Sequence, residues 1–267
     1  MLSVAEIIKR SFVAWASNFI IVLPFVFIGI ASAVLAIPLL TIFWIWAISL
    51  NPASLIKITA KSFVSYFLSS PFFIPFLIFL IIFIIALIFV SAYFGGGAVG
   101  MAKEIWQGKK ISLGTMHRYG KYFLFRYAGA LVILSLIGTG ILAAIMGLFA
   151  LPFLLTRQSA WLLLVFPGFV LVFLLLCFFI LTPFYMINEN LSIAESIGKS
   201  CCVVKRNYVS FLGILFLFFV MQLGVGLLNL VPFAGLVSGF VNLLIFVPVQ
   251  TLAMMLFAID RSKKFRT

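Results

Sequence analysis

The chain has 267 residues, 66% of them hydrophobic and 9% charged, with a formal net charge of +13. A soluble domain carries about 25% charged residues because its surface must face water. So apolar a chain excludes a water-soluble globular domain and makes a lipid bilayer its medium. The excess positive charge lies beside apolar runs, where anionic headgroups attract it, and so does not point to nucleic acid.

Five stretches contain no charged residue: 11–56, 62–102, 127–156, 158–188 and 207–259. A bilayer core of ~30 Å takes ~20 helical residues, with all backbone groups bonded inside the segment. The chain therefore predicts an all-α integral membrane fold with six transmembrane helices. The spans fall at roughly 20–48, 72–94, 128–150, 161–182, 209–229 and 236–257.

Before the first span, residues 2–19 read as an amphipathic interfacial helix. Ala5, Ile8, Phe12, Trp15 and Phe19 line its apolar face, and Glu6, Lys9 and Arg10 lie elsewhere. Such a helix lies in the headgroup layer with its basic side toward the phosphates. No short apolar core with a small-residue cleavage site precedes it, so the first span is expected to act as an uncleaved insertion signal. That span holds Pro24 and Pro38, which predict a kinked or strongly tilted helix, with a short hairpin within 19–50 as the alternative. Residues 51–70 read as an outer segment, with a short helix from Pro52 that turns Leu55, Ile58 and Phe63 to the bilayer. The second span ends near Gly95, Gly96 and Gly97. Ala92, Gly96 and Gly100 lie at four-residue spacing, as do Gly140/Ala144, Ala143/Gly147 and Gly235/Gly239. Small residues so spaced let helix backbones approach. Residues 112–127 form a further basic segment before the third span. The last two spans are joined by a turn over Asn229–Gly235.

Orientation follows from the cations. With both termini cytoplasmic, the inner face holds fifteen Lys and Arg, among them Lys9, Arg10, Lys199, Lys205 and Arg206; the outer face holds only Lys57, Lys61 and Arg157. Lys and Arg collect on the cytoplasmic side of membrane helices. A hairpin within 19–50 would erase the bias. The reading places the chain in a plasma membrane, with both termini cytoplasmic.

Residues 191–208 repeat 2–19 at an offset of 189, with seven of 18 positions identical: Leu2/Leu191, Ser3/Ser192, Ala5/Ala194, Glu6/Glu195, Ile8/Ile197, Ser11/Ser200 and Asn18/Asn207. In the second copy Ile193, Ile197, Cys201, Val204 and Tyr208 form the apolar face. Each copy has Ser three residues before Glu, the spacing of a capping box that closes the free N–H groups of a helix start. The expected organisation is three units, each an interfacial helix and a hairpin, over about 1–100, 111–183 and 190–258.

The run from Pro183 through Glu189, Ser192, Glu195, Lys199 and Ser200 to Lys205-Arg206-Asn207 resembles a motif in uncharacterised prokaryotic multi-pass membrane proteins. Those proteins are related to the membrane domain attached to some glycerophosphodiester phosphodiesterases. Ser196 stands where Ala is usual there. The resemblance implies a membrane location; no phosphodiesterase domain is present, so that activity is not implied.

Catalytic chemistry is not expected. All five acids (Glu6, Glu104, Glu189, Glu195, Asp260) fall at the inner surface, outside the spans. His117 is the single histidine, Cys177 reads as a core residue, and Cys201 and Cys202 are adjacent at the inner surface. No metal cluster, phosphate loop or nucleophile–base pair stands out, so neither metal nor cofactor is expected. Two sets of residues are candidates for function. Lys9, Arg10, Lys199, Lys205 and Arg206 would meet anionic lipid headgroups. Gln222, Asn229, Asn242 and Gln250 are polar groups within the last hairpin, where they would bond between helices or line a polar cavity. These give two expectations: a structural or accessory protein that contacts anionic lipid and a membrane-protein partner, or a passive or facilitative transporter or channel for a small solute or lipid.

Overall fold

A computed structural model describes residues 1–49, 68–156, 165–230 and 234–262. The expected helix from Pro52, the centre of the turn before Gly235, and the cations Lys57, Lys61, Arg157, Lys263, Lys264 and Arg266 lie outside them. All the regular structure among the described residues is helical, in ten α-helices: α1 (Val4–Ser17), α2 (Leu23–Ser49), α3 (Phe73–Trp106), α4 (Leu113–Thr156), α5 (Val165–Leu176), α6 (Thr182–Glu189), α7 (Ile193–Arg206), α8 (Tyr208–Gly226), α9 (Ala234–Val241) and α10 (Val247–Ser262). Six helical segments are long and apolar enough to cross a bilayer: Phe19–Ile48, Phe73–Trp106, Leu113–Leu148, Pro167–Glu189, Tyr208–Asn229 and Val237–Ser262. The protein is an all-α multi-pass membrane protein.

The chain divides into two compact units, Met1–Val26 with Ala92–Thr267, and Phe27–Ser91. The second unit holds most of α2 and the first half of α3. Helix α2 is continuous through Pro38, so no hairpin interrupts it. Pro24 stands at its second position, where a missing N–H breaks no helical bond. Ser32 and Thr41 return their hydroxyls to the carbonyls of Ile28 and Ile37, at 2.7 and 2.9 Å, as hydroxyl residues do in lipid-immersed helices.

In the first unit α10 is the centre. Val249, Leu252, Ala253, Met254, Met255, Phe257 and Ala258 are all buried on successive faces, as expected of a helix surrounded by others. Its principal neighbour is α1. Helix α1 buries Ile7 and Ser11 against protein, while on its apolar face Ala5 and Phe19 are exposed and Ile8, Phe12 and Trp15 half-buried. Helix α7 likewise buries Ser196, Ser200, Val203 and Val204, the last of which belongs to its apolar face. Each helix thus has three stripes: a small-residue stripe against protein, an apolar stripe, and a basic one. The sequence pattern separates apolar from charged, but cannot see that Ser bonded to backbone packs as a small residue.

The equivalence of α1 and α7 extends to single hydrogen bonds. Ser3 Oγ accepts the Glu6 N–H at 3.2 Å, and Ser192 Oγ that of Glu195 at 3.4 Å. At the far ends, Asn18 Nδ2 donates to Ala14 and Asn207 Nδ2 to Val203, both at 3.0 Å. Their backbone N–H groups reach Trp15 and Val204, both at 3.1 Å. All three pairs of bonds lie at the offset of 189.

Two expectations on helix limits need correction. Helix α3 runs unbroken through Gly95–Gly97 to Trp106, twelve residues beyond the expected end at 94. Residues 112–127 are not a separate interfacial helix but the opening turns of α4, whose 44 residues make it ~66 Å long at 1.5 Å per residue. The small residues matter where α3 meets α4. A Cβ on Gly100 would lie 2.2 Å from Tyr119 Cγ, and one on Gly97 would lie 2.9 Å from the Met116 carbonyl oxygen. The expected small-residue contacts at Gly140, Gly147 and Gly239 do not occur: a Cβ there meets nothing within 4 Å among the described residues.

Gly100→Ala should therefore overpack the α3–α4 crossing and cost about 1–3 kcal/mol. Gly140→Ala should be neutral or slightly stabilising. Thermal unfolding of the two variants in mild detergent checks this, and equal losses would contradict it.

Candidate functional site

The charged residues converge at one end of the first unit, and the chain itself answers most of them. Glu104, with only 6% of its side chain exposed, pairs with Arg118 and receives the Tyr119 hydroxyl at 3.4 Å. Glu189 pairs with Lys199, although its second oxygen, Oε1, is buried without a hydrogen-bond partner among the described residues. Asp260 accepts the Leu2 N–H at 3.2 Å, while Arg261 donates to the Leu2 carbonyl at 3.1 Å. Glu6 pairs with Arg10 at 2.7 Å. These acids are therefore not simply surface groups, as their places in the sequence suggest; Glu104 is buried in protein. Lys9, Lys109, Lys110, Lys121 and Lys205 remain exposed and outside any ion pair among the described residues, and Arg126, also exposed, donates to the Asn190 side-chain oxygen.

The segment 182–206 shows how the motif around Ser192 works. Pro183 opens α6, where a missing N–H is harmless. Asn190 closes it in the left-handed region (φ 55°), which Asn tolerates better than most side chains. Lys103, on α3, donates to the last carbonyls of α6, those of Ile187 and Asn188, both at 3.0 Å. A cation there also suits the negative end of the helix dipole. Ser192 and Glu195 then form a full capping box that starts α7. Ser200 donates to the Phe178 carbonyl at 2.6 Å and fastens α7 to the preceding 3₁₀ turn. Glu189, Ser192, Glu195, Lys199 and Ser200 of the motif are thus occupied in holding backbone or a neighbouring side chain.

Two cavities adjoin these elements. One, of about 310 Å³, lies between the ends of α3 and α4 and the α6–α7 turn, lined by Lys103, Arg118, Tyr119, Tyr122, Phe123, Ile187 and Asn190. The other, of about 240 Å³, lies in the last hairpin near the opposite end of α8. Gln222, Asn229, Ser238, Asn242 and Phe246 line it. Ser238 donates to Asn229 Oδ1 at 2.6 Å. A π-turn over Asn242–Phe246 borders it, an irregularity that recurs at functional sites. Pro248 follows, with no N–H to offer the Leu244 carbonyl four residues back; the Trp15 indole of α1 donates to that carbonyl at 2.9 Å.

A family model described as Domain of unknown function (DUF7847) matches residues 80–261. The chain belongs to this family. No curated protein matches it, and no solved structure does. The DUF7847 region contains both cavities and α7; α1, with Lys9 and Arg10, lies before it.

The structure sorts the predicted site residues. Lys9, Lys205 and Arg206 are exposed, Arg10 is exposed but paired with Glu6, and Lys199 is drawn in to Glu189. Gln222, Asn229 and Asn242 meet around one cavity, whereas Gln250 is not among its lining residues. Ser238 was not foreseen, because a lone Ser in an apolar helix gives no signal. Lys103 and Asn190 were not singled out either. Only the positive φ and the cross-helix bonds reveal them.

The Ser192 bonds hold the Glu195 carboxyl below its ordinary value. Its stabilising effect on α7 is therefore present above the unfolded value of ~4.3 and is lost as pH falls through the lowered one. Ser192→Ala should move the Glu195 titration upward toward the ordinary value, read by carboxyl-carbon NMR, and fray the first turn of α7.

Proposed function

We propose that this DUF7847 protein is a structural or accessory membrane protein that gathers anionic lipid at its basic face. One observation carries the reading: all five acids are engaged within the protein, and Lys9, Lys109, Lys110, Lys121 and Lys205 stand exposed without counter-charge among the described residues. Each cation near a negative membrane surface gains about 1 kcal/mol. The three-striped helices α1 and α7 would lie in the headgroup layer, and their matched caps support reading them as two copies of one interfacial unit. On this reading the face and both termini are cytoplasmic, under the plasma membrane, because Lys and Arg collect on that side of membrane helices. Kinship with the membrane domains of glycerophosphodiester phosphodiesterases belongs to the same proposal and rests on 183–207. No enzymatic role is part of it, since the motif's Ser and Glu side chains serve as caps.

The combined substitution of Lys9, Lys109, Lys110 and Lys205 by Gln should lower the enrichment of phosphatidylglycerol over phosphatidylcholine around the protein several-fold. Spin-labelled lipids in mixed vesicles measure this, and high salt should mimic it in the unmodified chain. Unchanged enrichment would sink the reading.

A second reading has its own observation, the 240 Å³ cavity with three amides and a π-turn. It makes the last hairpin a passive path for a small neutral solute. Asn229→Leu or Asn242→Leu should then abolish solute flux into proteoliposomes; no flux with the unmodified chain across sugars, polyols and urea would dismiss it.

A further inference from the structure

We propose that the 310 Å³ cavity between α3, α4 and the α6–α7 turn is a discrete site for the phosphate of one anionic phospholipid. The proposal rests on the lipid-gathering reading and gives it a specific seat, apart from the exposed lysines.

The cavity presents donors and few acceptors. Lys103 Nζ and the Arg118 guanidinium lie 6.0 and 5.2 Å from the centre of the same Tyr119 ring, which fixes both cations beside it. Gly100 makes this placement feasible, because any Cβ there would strike the ring. Lys103 gives two of its three N–H groups to the α6 carbonyls, so one remains. Arg118 binds Glu104 through Nη2 and keeps its other nitrogens, with 65% of its side chain exposed. Asn190 is oriented by Arg126, whose Nη1 donates to Asn190 Oδ1 at 2.9 Å. The amide oxygen is thus taken and the amide N–H₂ is left to donate.

The charge balance also suits an anion. Glu104 neutralises Arg118, but Lys103 binds only carbonyls and Arg126 only an amide oxygen. Two cations therefore remain uncompensated for a monoanionic phosphodiester. Hydrogen bonds from charged donors to phosphate are among the stronger ones a protein makes. The strained αL residue at the site, held by its neighbours, is the kind of feature that clusters at binding sites.

The apolar surroundings distinguish a lipid from a free phosphoester. Phe123 and Ile187 supply apolar lining. On the same helix Tyr122 and Phe125 are 64% and 77% exposed, directly before the uncharged run that starts at Tyr127. A phosphate in the cavity would sit at headgroup height with acyl chains along α4. A volume of 310 Å³ is at the small end of ligand pockets and fits a headgroup, not a whole lipid.

The test is native mass spectrometry of the full chain in mild detergent, titrated with dioleoyl phosphatidylglycerol and, separately, dioleoyl phosphatidylcholine. The expected result is one phosphatidylglycerol retained per chain, at least tenfold more tightly than phosphatidylcholine. Lys103→Gln with Asn190→Gly should lose that preference. Gln keeps an N–H₂ donor on a shorter side chain and Gly is at ease at φ 55°, and thermal unfolding of the variant checks that the fold survives. Tyr122→Phe, at an exposed hydroxyl, is a second variant and should weaken retention a few-fold. The four-lysine variant, which spares the cavity, should keep the tight lipid while bulk enrichment falls, so the two readings fail separately. Equal retention of the two lipids, or retention unchanged in both cavity variants, overturns the site. Displacement of the lipid by millimolar glycerol 3-phosphate overturns the lipid as its occupant.

Discussion

Lys103 binds the carboxyl end of α6 from the side, and much of the basic end of the protein is arranged around that contact. A helix that stops beside a membrane leaves carbonyls that lipid cannot satisfy. Water could do so at the surface, but Ile187 is fully buried. A cation from α3 satisfies two of them. For Lys103 to arrive there, α3 must continue as helix well past its apolar run, and α4 must pass close enough for Arg118 and Tyr119 to cover Glu104. Gly97 and Gly100 permit that approach. Between lipid-immersed helices there is little release of water to gain, so close packing and hydrogen bonds of this sort must hold the bundle.

The same economy explains why the acids are so few and so placed. Each of the five is engaged by a cation, a cap or a chain end. None is left to oppose the surface lysines. A net charge of +13 spread along a soluble protein would simply repel itself. Here it is divided into an internal share, which ties helices together, and an external share, which stands exposed.

The membrane class and the number of spans were legible because uncharged runs of that length have no other explanation. The caps at Ser3 and Ser192 were legible too, since Ser and Glu at that spacing have a local mechanism. What the pattern hid was non-local. Lys103 and Glu104 end an uncharged run, so the second span seemed to stop before them; partners far away in sequence let the helix carry them into protein. The protein-facing stripe of α1 gives no sequence signal, because Ser11 returns its hydroxyl to Ile7 and so packs as small rather than polar. Gly140 and Gly147 have the same spacing as real contact glycines but meet no neighbour among the described residues. Gln222, Asn229 and Asn242 were visible as polar residues in apolar helices. Their convergence with Ser238 depends on the hairpin geometry.

The contact between α1 and α10 also bears on how the protein is made. Synthesis proceeds from the amino terminus, and earlier segments begin to organise before later ones exist. Yet the Leu2 backbone bonds Asp260 and Arg261, α1 packs chiefly on α10, and Trp15 finds its carbonyl at Leu244. Helix α1 therefore completes its docking only once α10, the last of the described helices to be made, is present. Closure of the first unit waits on its own latest-made helix.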